Sequence, residues 1–597
     1  MAASRRAFIA GLGAASVAMP LVAGDATGAE KRSAADRAFS RLAERWLHGS
    51  LRLSPINATQ IGDHRFDALI DDVSAMGRAR SLMFARSTLT ALEAIERKSL
   101  SRANQVDAAL LANALQSQVW TTEILQEWAW NPLNYQSLAG GAIYTLMARD
   151  FAPAPVRLRA VAARMEQIPT LLQQARAELV PARVPLPHAL TYASQNKGLL
   201  SLIPEMIDPI KGSLKRNERE RLDAAIAVFT AAINGHQAYI DATLIPAAKG
   251  DFRIGRDLFD AKLAYTLQTD LTRVDIKDRA TMMIRIVREL MYLAAKEALA
   301  GRADAPEAPP NPNPEQQQRA ISAALELAAS DRPARHELVE ASTAATETAR
   351  QFLLAKDLIT LPDGPVRVIL MPEFQRGFAV AYCDSPGPLE KHLDTFYAVS
   401  PIPDDWTEGQ ATSFLREYNR RAIQDIAVHE AMPGHYVQIF HANSYPSVLR
   451  AVLSSGSFVE GWAVYAEQMM VEEGFLRHDP LYKLTQLKVL LRTITNAVID
   501  QAIHVDGMTE VEMMRLLTET AFQEEREAAG KWRRAQLSST QLSTYFVGYA
   551  EHMSARTEAQ LRQRTAFNLK SYHDGILAFG SPPMRYARAL YLGDPLV

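Results

Sequence analysis

Two histidines and a glutamate fall within seven residues, His429-Glu430-Ala431-Met432-Pro433-Gly434-His435, and they offer the parts of a hydrolytic metal site. An imidazole binds zinc through a ring nitrogen, and a carboxylate beside a ligand takes a proton from a metal-activated water. The usual zincin pattern, H-E-x-x-H, sets its histidines four apart on one helical face. Here they stand six apart. At about 100° per residue a regular helix turns the second ring well away from the first. Pro433 lacks the amide proton its helical position needs, and Gly434 reaches conformations closed to other residues. The pair is therefore expected to bulge the helix and return His435 toward His429. The alternative is that Pro-Gly ends one helix and His435 begins the next.

A third ligand must come from elsewhere. His441 follows His435 by six residues, but Gln438 stands where a metzincin-like turn needs glycine. Better placed is the segment Phe458–Glu467, FVEGWAVYAE, in which Glu460 and Glu467 lie almost two turns apart on one face. Acids among Trp, Val, Tyr and Met are costly to bury unless paired or bound to metal. The sequence has a single cysteine, Cys383, which excludes an intramolecular disulfide and a thiolate cluster, so a metal here needs imidazole and carboxylate. Cys383 reads as a buried small hydrophobe, and the pairs Met469-Met470 and Met513-Met514 read as helix core.

The elements around these residues are mostly helical. From about residue 35 to 300, stretches such as Ala103–Gln126, Pro155–Leu179 and Asn217–Leu244 carry apolar residues three and four apart. A proline-rich segment, GRADAPEAPPNPNP from Gly301, marks a linker or a long surface loop. Helices near Pro314–Leu327 and Arg335–Ala355 follow. Val366–Met371, Phe378–Tyr382 and Thr395–Val399 then read as short strands, before helices resume near Glu408. The expected fold is mainly α, a large two-lobed helical zincin-like fold with a small β-sheet beside the HE-bearing helix. The regions are 30–300 (N-terminal helical), 301–316 (linker or loop) and 317–597 (catalytic).

The first 29 residues read as a leader. Ser4-Arg5-Arg6-Ala7-Phe8-Ile9 opens an uncharged, mostly apolar run to Ala23, and Ala29 is a plausible last residue before cleavage. SRRAFI resembles a twin-arginine export signal, which predicts a periplasmic or secreted protein with no membrane attachment after removal. With 597 residues, 48% hydrophobic and 22% charged, the chain has an ordinary globular composition. A formal net charge of -2 gives no reason to expect nucleic acid or an anionic membrane as partner.

The segments HEAMPGHYVQ and VEGWAVYAE resemble the domain-of-unknown-function 885 family, which looks related to gluzincin metallopeptidases. The likeness extends through RTITNAVIDQAIH (Arg492–His504), QLSTYFVG (Gln541–Gly548) and LKSYHDGILAFGSPP (Leu569–Pro583). Weaker likeness runs through Ser54–Asp67 and Phe252–Leu263. The resemblance implies zinc, a two-lobed helical fold with a deep channel, and Glu460 as the third ligand. Glu430 is then the base, and an oxyanion needs a further donor. Tyr545, in the QLSTYFVG segment, is the first candidate, with Tyr549, His504 and His573 as rivals. Asp500 and His504, four apart, could act as a pair behind the metal. Asp425 could orient His429, although an ordinary exposed acid is the plainer reading. Arg492 and Arg534 could meet a substrate carboxylate, although surface salt bridges are the plainer reading. The expected substrates are short peptides or other small amides. A zinc amidase or esterase, or a non-catalytic helical binding protein, are the competing readings.

Overall fold

The computed structural model describes residues 33–376, 380–390 and 392–596; the leader expected over 1–29 lies outside them. Before residue 250 the chain is a succession of helices that bury several apolar clusters. Ala34–Leu53, Ala75–Glu93 and Arg102–Trp120 bury one apolar cluster. Leu133–Met147, Ala154–Met165, Ile168–Glu178 and Arg216–Tyr239 bury a second. The stretch expected as one helix over Pro155–Leu179 is two helices, because Pro169 falls where the second begins.

The helices that bear on the site follow. They are α1 (Arg256–Leu267), α2 (Arg273–Ala298), α3 (Pro314–Ser330) and α4 (Leu338–Lys356). The proline-rich segment joins α2 to α3, and these two helices pack on one another. It ends abruptly because Pro314 sits in the first helical turn and Asn313 and Gln316 form a capping box.

Strands β1 (Val366–Leu370), β2 (Ala381–Asp384) and β3 (Thr395–Val399) form one sheet in the order β1-β3-β2. β1 runs parallel to β3 with Val368 opposite Tyr397, and β2 runs antiparallel with Cys383 opposite Tyr397. Every residue of the central strand β3 is buried. Strand β2 begins three residues later than Phe378, which lies outside the described residues.

The remaining chain is helical: α5 (Glu408–Glu417), α6 (Arg420–Glu430), α7 (His435–Ser444), α8 (Gly456–Glu472), α9 (Pro480–Gln501), α10 (Glu525–Leu537), α11 (Leu542–Gln563) and α12 (Leu569–Leu577). Helices α4 and α6 lie against the sheet. The largest apolar cluster draws Phe259, Ala280, Met291 and Ile321 from α1–α3 together with Val464, Leu491 and Val547 from α8, α9 and α11. Residues on both sides of the proline-rich segment thus share one core, and α8, α9 and α11, which surround the HE residues, sit inside it. No helix among the described residues is long and apolar enough to cross a membrane.

Candidate metal centre

Asn419 starts α6 by accepting hydrogen bonds from the amides of Arg421 and Ala422. The helix carries His429 and Glu430 at its last turn and stops there. The amides of Ala431 and Met432 both reach the Ala427 carbonyl, and the Gly434 amide reaches that of Val428 at 2.9 Å. Residues 431–434 thus fold back against the end of α6. Gly434 is obligatory in this turn, since a Cβ would overlap the carbonyl oxygens of His429 and Val428. His435 then opens α7. The expected bulge is therefore not what forms: the helix breaks, because Pro433 cannot extend the ladder, and a new one starts. The consequence for the rings is still convergence, with imidazole centroids 4.8 Å apart and nearly perpendicular.

Ser455 caps α8, which brings Glu460 between the two rings. Glu460 Oε2 lies 3.6 Å from His429 Nε2 and 3.5 Å from His435 Nε2. Three donors bound to one ion at about 2.0–2.2 Å in tetrahedral geometry lie roughly 3.3–3.6 Å apart, so these separations fit a shared ion better than direct hydrogen bonds. Glu460 Oε2 is buried and makes no hydrogen bond among the described residues. One ligand atom from each of the three residues lies within 4.8 Å of the other two, and no other such set occurs among the described residues. Burial opposes the charge on Glu460, but the two imidazoles outweigh it and hold its carboxyl below the usual range.

The turn and α8 are tied together by the Trp462 indole, which donates to the Pro433 carbonyl at 2.9 Å. Two turns after Glu460, Glu467 Oε1 lies 2.6 Å from His429 Nδ1. That contact orients the ring and leaves Nε2 toward Glu460. Asp425, expected as an exposed acid, is instead fully buried and accepts from the Tyr482 hydroxyl at 3.2 Å. Burial and the neighbouring Glu467 push its pKa well up.

Glu430 is buried beside His429, and its Oε2 has no hydrogen-bond partner among the described residues. Tyr545 on α11 stacks near His429 at 6.4 Å between centroids. Its hydroxyl accepts from Arg534 Nη2 at 2.8 Å and from Gln541 Nε2 at 3.2 Å. Burial and the charge of Glu460 raise its pKa, so the phenol is neutral.

The other oxyanion candidates are held in contacts of their own. His504 is buried between Phe252 and Phe259, with Nε2 donating to the carbonyls of Ala535 and Ser538. Its neighbour Asp500 accepts from the amides of Thr540 and Ser543, so that pair anchors the start of α11. His573 is locked between the Tyr465 hydroxyl and the Leu358 carbonyl in the core. Tyr549 packs in the largest apolar cluster. His441 bonds to the Thr360 carbonyl, away from the ligands.

Arg492 and Arg534, expected in surface salt bridges, are drawn inward. Arg534 holds Tyr545, and Arg492 lines a small cavity that also contains His429, Glu430, Asn496 and Lys531. Lys531 and the role of Glu467 escaped the sequence reading. The only signal was the seven-residue spacing that put Glu467 on the face of Glu460.

Among the solved structures similar to this chain, two cover more than nine-tenths of it. A putative lipoprotein of unknown function from Shewanella oneidensis is 31% identical, with a TM-score of 0.74 over 93% of this chain and 99% of that one. A putative lipoprotein from Colwellia psychrerythraea is 16% identical, with a TM-score of 0.76 over 94% of this chain and 99% of that one, and shares the fold. No curated protein matches the sequence. The model of a family described as bacterial protein of unknown function (DUF885) matches residues 55–590, and the chain belongs to that family.

Proposed function

We propose that the chain is an exported zinc metallopeptidase that hydrolyses short peptides, with His429, His435 and Glu460 as ligands and Glu430 as base. The observation that carries this reading is the convergence of two imidazole nitrogens on one unpartnered carboxylate oxygen, at 3.5 and 3.6 Å, beside a second unpartnered carboxylate. Three protein ligands leave room for a water, whereas a structural zinc site fills all four positions with protein. When bound, zinc supplies a Lewis acid and lowers the pKa of that water.

Glu430 takes the water's proton and returns it to the leaving nitrogen as the amide C–N bond breaks. The Tyr545 hydroxyl accepts two hydrogen bonds, which uses both lone pairs and leaves its O–H free to donate to the developing oxyanion. Glu467 holds the His429 ring in the tautomer that binds metal. Glu430 and His435 are only 7% and 8% exposed, which favours a short or extended chain over the surface of a folded protein. Export rests on the twin-arginine-like leader and agrees with the two similar lipoproteins.

The test is metal content and peptide cleavage for the wild type and Glu430→Gln. The reading expects about one zinc per chain in both and cleavage in the wild type alone. A wild type without metal, or a Glu430→Gln variant as active as the wild type, would overturn it. Cleavage confined to esters or non-peptide amides would move the activity to an amidase or esterase.

A further inference from the structure

A narrow cavity of about 70 Å³ lies against the metal centre. Its one wall carries Glu430 and Tyr545. The other is a stripe of α9, Arg492, Thr493 and Asn496, completed by Lys531 from α10. We propose that this cavity binds the C-terminal carboxylate of the substrate through Lys531, with Arg492 and Asn496 beside it. The proposal rests on the hydrolase reading above and makes the enzyme one that cuts from the C-terminal end.

Lys531 is 6% exposed, yet its ammonium makes no hydrogen bond among the described residues, and its nearest carboxylate oxygen is Glu527 Oε1 at 3.7 Å. A buried ammonium is costly without charge-assisted hydrogen bonds. Glu527 does not supply them: the same oxygen lies 3.7 Å from Arg492, and its other oxygen accepts from the Tyr418 hydroxyl. One carboxylate is thus shared loosely by two cations, and Arg534 nearby pairs with no carboxylate among the described residues.

Three acids share the wall, Asp425, Glu430 and Glu467. Glu467 is engaged by His429, and Asp425 accepts from the Tyr482 hydroxyl. Three cations, Lys531, Arg492 and the adjacent Arg534, then stand against two carboxylates, Glu430 and Glu527. The volume is several times the roughly 10–15 Å³ that one buried water needs, so a carboxylate fits. A carboxylate held there keeps the last peptide bond close to Glu430. Hydrolysis then adds water across that bond and releases the terminal residue with its amine protonated through Glu430.

The experiment compares the zinc-loaded mature chain on matched peptides ending in a free acid or an amide, with a third, amidated peptide carrying an internal glutamate. Free-acid kcat/KM is expected to exceed that of the amide by roughly tenfold to a hundredfold. Lys531→Met should raise KM on the acid by a similar factor and so abolish the preference for acid over amide. Equal cleavage of acid and amide by the wild type overturns the proposal, and that comparison needs no variant. Restoration by the internal glutamate would assign the cavity to a side chain and overturn the end-specific claim. Where the wild type cleaves neither peptide, calorimetry with the same pair decides. Binding of acid over amide keeps the carboxylate site while the hydrolase reading falls, and equal or absent binding removes both.

Discussion

His429 and Glu467 are joined by a 2.6 Å contact between Nδ1 and Oε1, across two helices and 38 residues of sequence. Glu467 is almost fully buried, so the bond is strong and the ring cannot rotate freely. Removing the carboxylate by Glu467→Ala should weaken zinc binding by about 10–100-fold, the usual effect of losing a partner behind a metal-bound histidine. Competition with a chelator of known affinity measures this. Unchanged affinity would mean that the contact serves packing alone.

Two glycines set how closely the site-bearing elements approach. Gly434 lies against the carbonyls that end α6, and Gly461 on α8 meets the backbone of Gly548 on α11. In both places the obstacle to a Cβ is backbone, which cannot rotate aside. Gly434→Ala and Gly461→Ala should each cost about 1–3 kcal/mol or more and lower zinc occupancy. Gly235, within the helix Arg216–Tyr239, has nothing near its missing Cβ, so Gly235→Ala should stabilise by roughly 0.5–1 kcal/mol. Denaturant unfolding of the three variants reads the contrast, and equal effects would refute the close-approach argument.

Tyr545→Phe keeps the ring beside His429 and removes only the hydroxyl that Arg534 and Gln541 hold. If that hydroxyl donates to the oxyanion, kcat should fall by about 10²–10³ with KM and zinc content little changed. A rise in KM at constant kcat would instead make Tyr545 a ground-state binding group.

Part of the candidate site could be read from residue types, and the rest could not, for a consistent reason. Strand β3 is bounded as Thr395–Val399 because its residues are β-prone and turn residues flank it. Glu460 was reachable from helical spacing together with family likeness. The outcome of Pro433-Gly434 was not, since a bulge and a break use the same two residues, and only packing against α6 decides between them. Arg492, Arg534, Asp425 and Lys531 were read as surface groups or passed over because charged side chains are seldom buried. Their burial follows from how α9, α10 and α11 pack around the site, which no local pattern encodes.

Lys531 offers a test of buried charge that does not depend on turnover. Burial pushes its pKa down from 10.5 to about 7; Glu527 and Glu417 oppose this shift, and Arg534 and Arg492 add to it. Between those two values the unfolded chain keeps a proton that the folded chain has released, so this group makes stability rise with pH from about 7 to 10. Lys531→Met has no ammonium to desolvate. The variant should therefore be more stable than the wild type below about pH 7, and the gap should close as pH approaches 10. Urea unfolding of both proteins at several pH values across that window measures the difference. A carboxylate ligand should narrow the gap near neutral pH by giving the wild-type ammonium a partner, and uptake of a proton should accompany binding. A gap that is constant with pH would show that Lys531 is solvated in the folded protein, and its place in the carboxylate cavity would then be lost.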